Sequence, residues 1–129
     1  MMDETSKKIG NADQLEKPVV IPADAYISPE YAAAEQERLF RKTWLQAGRM
    51  EDLREVGDFI TYEIGPDSVI IVKSGESELS AYHNVCPHRG RRLVDALPGQ
   101  RNARGTRKNF ICGYHGWTFG LDGENAYIE

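Results

Sequence analysis

Both cysteines of this chain and two of its three histidines fall in two short mixed pairs, Cys86-Pro87-His88 and Cys112-Gly113-Tyr114-His115. Each pair offers one thiolate and one imidazole from a single tight loop, so a fold that uses them must bring two distant loops to one place. A mononuclear zinc finger usually groups its ligands by type, a Cys pair and then a His pair. Here each loop carries one of each kind. That arrangement suits a two-iron cluster in which one iron takes both sulfurs and the other both nitrogens, with each loop gripping both irons. The same four residues could instead hold one zinc ion, and the two Cys could pair as a disulfide.

The start of the chain bears on the disulfide. It is polar and charged (MMDETSKKIGNADQLEK), and no secretory hydrophobic region is visible in the first thirty residues. That predicts a cytoplasmic protein, and cytosolic chains rarely keep structural disulfides, so the thiols are expected to be ligands.

Read as motifs, Cys-Pro-His-Arg-Gly at 86–90 and Cys-Gly-Tyr-His-Gly-Trp-Thr at 112–118 resemble the C-x-H and C-x-x-H elements of Rieske proteins. In a Rieske [2Fe–2S] centre two His replace two Cys on one iron. More closely, the chain resembles the N-terminal part of the large (α) subunit of Rieske non-haem iron ring-hydroxylating oxygenases, over residues 20–129. The stretch Glu35-Gln-Glu-Arg-Leu-Phe-Arg-Lys-Thr-Trp44, followed by Gly48, is similar to the segment that precedes the cluster domain there. The resemblance implies that Cys86, His88, Cys112 and His115 hold the cluster, flanked by Arg89, Gly90, Gly113, Tyr114, Gly116 and Trp117. It implies single-electron transfer from a ferredoxin or flavin reductase to a mononuclear non-haem Fe(II). That iron belongs to a catalytic domain missing from this sequence, so the chain is expected to be a fragment that does not oxygenate alone. Aromatic compounds are the implied substrates, and other α subunits, in a trimer, the implied partners of the full-length protein. One departure stands out: 23 residues separate His88 from Cys112, more than the family leads one to expect. The extra length is assigned to a polar surface loop at 97–108 (LPGQRNARGTRK).

Two alternatives differ in kind. A free-standing Rieske ferredoxin would be an electron carrier, but such proteins usually lack the 27–50 segment. A zinc-binding interaction module would be colourless. Respiratory Rieske subunits resemble this domain too, yet they carry a membrane anchor, and no stretch here approaches 18 apolar residues.

Length and charge narrow the class further. At 129 residues the chain can build one substantial core. A net charge of −4 argues against nucleic acid as a partner. The distribution is uneven: residues 1–63 hold 13 acids and 8 bases, and residues 64–129 hold 7 acids and 8 bases. Seven bases lie within 89–108 against Asp95 alone. They form either a solvated loop or an electropositive rim that steers an acidic electron donor.

The pattern along the chain predicts a mainly β fold: an N-terminal helix, then a Rieske-type antiparallel β fold with a cluster-binding subdomain of two loops. Residues 1–17 read as a disordered tail, 18–50 as an extended segment and helix, and 51–129 as the cluster domain. Ser28-Pro29-Glu30 carries an N-cap, a first-turn proline and an acid for the helix dipole. The helix should run from Tyr31 to about Trp44, with Phe40 and Trp44 paired one turn apart and packed in the core. Strands are expected at 58–64, 68–73, 78–85, 107–112, 117–121 and 124–128, with Asp122-Gly123 as a hairpin turn.

Around the two pairs, Gly90, Gly113 and Gly116 should allow close backbone approach and unusual backbone angles. Pro87 stiffens the first loop, and Tyr114 and Trp117 can shield it from water. High-potential Rieske proteins carry a Ser where Trp117 stands, so the potential is expected near the low end of the range, about −150 mV. His83 is left over and is expected to be structural, orienting the first loop by a hydrogen bond. No Ser–His–Asp triad can be drawn without taking a His from the pairs, and no phosphate-binding Gly loop is present.

Overall fold

The computed structural model describes residues 20–128, so the tail expected at 1–17 lies outside the described residues. The chain divides into two compact units, parting between Arg41 and Lys42.

The first unit is helical. A short helix α1 (Asp24–Ile27) leads into α2 (Pro29–Glu35), which continues as a π-helical turn over Gln36–Phe40. Ser28 caps α2: its hydroxyl accepts from the Tyr31 amide at 3.1 Å and donates to Glu30 at 2.8 Å. That bond holds the Glu30 carboxyl below its ordinary pKa. The helix ends at Phe40, short of the expected Trp44. The early stop leaves Trp44 outside the helix. Neither residue packs in a core: Phe40 is exposed, and Trp44 is fully so at 103 %.

The second unit is antiparallel β. Strands β1 (Asp58–Ile64), β2 (Asp67–Gly75), β3 (Glu78–His83) and β4 (Arg104–Thr106) form a four-stranded sheet in the order β3-β2-β1-β4. Strands β5 (Phe110–Ile111), β6 (Thr118–Phe119) and β7 (Asn125–Tyr127) form a three-stranded sheet in that order. Alternation sets the buried face, because successive strand side chains point to opposite sides. On β2, Ser68, Ile70 and Val72 are buried, and the register places Val72 opposite Phe59 and Ile70 opposite Thr61 on β1. This is the mainly β architecture expected, with few helices.

Strand β4 corrects the expectation of a loop over 97–108. Its side chains Arg104, Gly105 and Thr106 are all exposed and give no apolar alternation. Buried Thr61 creates the pairing instead. Its amide donates to the Ala103 carbonyl at 2.8 Å, and its hydroxyl accepts from the Ala103 amide at 2.7 Å. The added length is thereby stitched to the edge of β1, beyond the reach of a patterning argument.

One core joins the two sheets. Phe110 of β5 is fully buried and meets Phe59 of β1 and Tyr82 of β3 edge-on, with ring centroids 5.4 and 6.0 Å apart. Leu93, Val94, Ala103 and Phe119 complete it, and both cysteines belong to it. Deleting Phe110 to Ala should cost about 3–5 kcal/mol.

Candidate metal centre

The first loop leaves the end of β3 and the second connects β5 to β6, so each sheet extends one loop. Both turns have the same backbone design. In the first, the Cys86 amide donates to the Arg91 carbonyl at 2.7 Å, and the Gly90 amide donates back to the Cys86 carbonyl at 2.9 Å. In the second, the Cys112 amide donates to the Trp117 carbonyl at 2.8 Å, and the Gly116 amide to the Cys112 carbonyl at 3.0 Å. The residue four positions after each Cys must take a left-handed conformation, and in both loops it is Gly, at φ +72° for Gly90 and +77° for Gly116. Gly113 differs from the expectation placed on it. Its φ is ordinary, and an added Cβ would meet nothing, so close approach of a bound group is what it could serve.

These turns bring the four expected side chains together by type. Cys86 and Cys112 are 1 % and 3 % exposed, both free thiols. Both belong to the same buried core cluster. Burial pushes the Cys112 thiol up, but it is outweighed by the Tyr114 amide, the Cys86 thiol, the His115 amide and the charge of Arg91. Together they hold its pKa below the ordinary value. The imidazoles of His88 and His115 face each other with centroids 4.8 Å apart. Each is backed by an aromatic from the second loop: Trp117 stacks on His88 at 4.7 Å and 10°, and Tyr114 on His115 at 3.8 Å. Trp117 is half-buried against the core, whereas Tyr114 is largely open and covers only its own side.

A thiol pair beside an imidazole pair is a donor set for two metal centres of different softness. The Nδ1 atom of His115 is buried and has no hydrogen-bond partner. Leaving such an atom unpaired costs free energy, and a metal bond would relieve it. The residues present therefore fit a binuclear iron–sulfur group.

Asn84 was not singled out by the sequence. It is buried, two residues before Cys86, and all its side-chain bonds serve the first loop. Its Oδ1 accepts from the Leu93 and Val94 amides at 3.1 and 2.9 Å. Its Nδ2 donates to the Val94 carbonyl at 2.7 Å and to Ser68 Oγ at 3.1 Å. Ser68 in turn donates to Glu63 at 2.5 Å, and Glu63 pairs with Arg92 at 2.9 Å. The orienting role expected of His83 thus falls to its neighbour. The His83 side chain is exposed on β3 and makes no hydrogen bond to a described residue. No local pattern marks it, because the partners that its buried side chain needs lie at Leu93 and Val94, nine and ten residues on.

Residues 43–129 match the sequence profile of the Rieske [2Fe-2S] domain. The chain belongs to the Rieske [2Fe–2S] domain family. The chain is 36 % identical over 105 residues to the choline monooxygenase of Beta vulgaris, an alignment covering 81 % of this chain and 22 % of that one. Among solved structures it resembles a quaternary ammonium Rieske monooxygenase described for carnitine oxidation by gut microbiota and for inter-subunit electron transfer. That match has a TM-score of 0.71 and 33 % identity, covering 82 % of this chain and 27 % of the other. It also resembles naphthalene 1,2-dioxygenase from Rhodococcus sp., with a TM-score of 0.74 and 28 % identity, over 84 % of this chain and 23 % of the other. The relatives are thus Rieske oxygenase subunits, and this Rieske domain spans about a quarter of the length of the curated relatives it matches. No helix among the described residues is long and apolar enough to cross a membrane.

Proposed function

We propose that Cys86 and Cys112 ligate one iron, and His88 and His115 the other, of a Rieske cluster. In this role the domain takes single electrons from a ferredoxin or flavin reductase and passes them to the mononuclear iron of an oxygenase. The observation that carries the reading is the sorting of the four side chains into a buried thiol pair and a facing imidazole pair, with the His115 Nδ1 left unpartnered. Bound there, the cluster supplies reversible one-electron chemistry. The chain supplies the rest. The core excludes water from the sulfurs, and the second turn brings the Tyr114 and His115 amides to that of Cys112. Trp117 and Tyr114 fix the planes of the imidazoles. His83 is the one histidine outside the loops, so a two-His-one-carboxylate site is not built from these residues.

The substrate of the parent enzyme is best read from the relatives. Choline monooxygenase and the carnitine-oxidising enzyme favour a quaternary ammonium compound. Naphthalene dioxygenase, whose domain is equally well superposed at lower identity, supports the aromatic substrate first expected.

The test is chemical. Protein purified anaerobically should be red-brown, with about two irons and two acid-labile sulfides per chain and a midpoint near −150 mV. Cys112→Ser should lose the cluster or much of its stability, and His115→Cys should keep iron at a lower potential, because a thiolate adds negative charge. A colourless product holding one zinc would overturn the assignment.

A further inference from the structure

The first loop does not pack flush on the sheet it leaves. A cleft of about 290 Å³ lies beside it, lined by Pro66, Asp67 and Ser68 on the sheet side and by Asn84, Gly90 and Arg92 on the loop side. A loop bordered by open space shifts easily unless its two ends are held. One side chain outside the loop holds both. Glu63 lies opposite Ser68 in the β1–β2 register, and each of its carboxylate oxygens serves a different end of the loop. Oε1 accepts from the Ser68 hydroxyl at 2.5 Å, and Oε2 accepts from Arg92 at 2.9 Å. Ser68 leads to the entry: its carbonyl accepts from the Asn84 amide at 2.8 Å, and its hydroxyl from Asn84 Nδ2 at 3.1 Å. Arg92 is the exit. It directly follows the Arg91 carbonyl that accepts from the Cys86 amide at 2.7 Å. The Glu63 side chain is 18 % exposed, against 61 % for Asp95 in its pair with Arg91, so water and salt screen its bonds less.

We propose that Glu63 is a positioning residue of the metal centre: it clamps the entry of the first loop to its exit and so fixes where His88 presents its imidazole. The inference rests on the function proposed above and assigns a determinant of it to β1, outside both loops. Cys86 is buried and located by the core, whereas His88 is exposed. The place of His88 therefore depends on the loop that carries it and on the stack with Trp117 of the other loop. If the exit slid against the entry, the Cys86–Arg91 bond would stretch and that stack would shift. A carboxylate suits the task because it has two acceptor oxygens and no donor, one for the hydroxyl and one for the guanidinium. Hydrogen bonds to a charged group are also roughly twice as strong as neutral ones. An amide in its place would offer a single oxygen and release one end.

The experiment uses the iron-loaded protein and two readouts: the electron paramagnetic resonance signal of the reduced cluster, and the rate at which a chelator strips the iron. E63A should broaden the signal, as His88 takes up several placements, and should lose iron about tenfold faster than wild type. R92A frees only the exit and S68A only the entry, so each should give a smaller change of the same kind in both readouts. R92K keeps a cation for Oε2 and should lose iron within about twofold of the wild-type rate. R104A removes the Arg104–Asp52 pair at the β1–β4 edge and should match wild type in both readouts, which separates positioning from the loss of any ion pair. If E63A does not fold, R92A decides, because the Arg92 side chain is 46 % exposed and lies outside the core. If E63A, or R92A in its stead, keeps the wild-type signal and iron retention, the inference is overturned and the proposed function stands. If E63A lowers the melting temperature but leaves the signal unchanged, Glu63 is structural only, which also overturns the inference. If the wild-type protein itself gives no Rieske signal, the proposed function fails and the inference with it.

Discussion

In the first loop the Cys86 turn is held from below by the side chain of Asn84, with four hydrogen bonds reaching Leu93, Val94 and Ser68. In the second loop, the side-chain bond that serves the turn is the one from Thr118 Oγ1 to the Gly116 carbonyl at 2.9 Å. The backbone hydrogen bonds and the left-handed Gly are alike in both. What differs is the source of rigidity. The first loop continues from a β3 strand that ends at His83, and it must return across the core through Leu93 and Val94 without a paired strand, so a buried amide side chain replaces the missing ladder. The second is a hairpin tip between paired strands β5 and β6, so its ladder and its aromatic stacks suffice. One turn design can thus be stabilised by a polar network in one place and by strand pairing in another.

Breaking the network should have the largest effect. Asn84→Ala strands the buried Leu93 and Val94 amides and should cost about 3 kcal/mol or more in denaturant unfolding, with impaired iron incorporation. A loss under about 1 kcal/mol would mean that the first loop is held as the second is. Next come the glycines. Gly90→Ala and Gly116→Ala each force a left-handed backbone on a residue with a side chain, at about 1–2 kcal/mol apiece. Open space on the Cβ side of both means no added clash, so the two costs should match; a large inequality would show that the turns are not equivalent. Thr118→Val removes one partly buried hydrogen bond and should cost about 1 kcal/mol. Were it as damaging as Asn84→Ala, the asymmetry between the loops would be lost.

The smallest effect is spectroscopic. Tyr82 lies just ahead of the first loop and packs on Phe110 just ahead of the second. Burial, and then the charge of Asp122, pushes its phenol up to about 12. The folded state therefore keeps this proton longer than the unfolded chain does. Its contribution is whole below about pH 10, the ordinary tyrosine value, and fades as pH rises toward 12. In an absorbance titration Tyr82 should ionise late, and Tyr82→Phe should remove that late step. Ionisation near pH 10 along with the surface tyrosines would mean looser packing beneath both loops.

Much of this was legible in the sequence, and the parts that were not share a cause. Strand β2 could be read because Ser68, Ile70 and Val72 alternate with less buried residues, and β1 because Phe59-Ile60-Thr61-Tyr62 is a run of aromatic and β-branched residues. The four side chains proposed as ligands stood out because Cys and His in that spacing serve few other purposes. Strand β4 could not be read, because Arg104-Gly105-Thr106 has no apolar face and pairs through backbone that Thr61 presents. Asn84 could not either: Asn ordinarily marks a turn, and its burial is decided by Leu93 and Val94, nine and ten residues away. The basic run was visible as composition, but the pairing of Arg92 with Glu63, Arg91 with Asp95 and Arg104 with Asp52 is made only in the fold. Pattern reveals residues that act through their own neighbours in sequence, and conceals those whose partners come from another strand.

The division of the two loops between two sheets has a further consequence for the life of the chain. A group held by Cys86 and Cys112 closes a loop of about 27 residues and ties one sheet to the other. By the loop-entropy estimate used for disulfides, such a tie removes about 3.5 kcal/mol of freedom from the unfolded chain. Strands β5 and β6 are two residues each, too short to persist on pairing alone. Newly made protein that has not met iron should hold this small sheet loosely and offer the segment around Ile111 to proteases. Iron supply would then govern how long the polypeptide survives as well as whether it carries electrons.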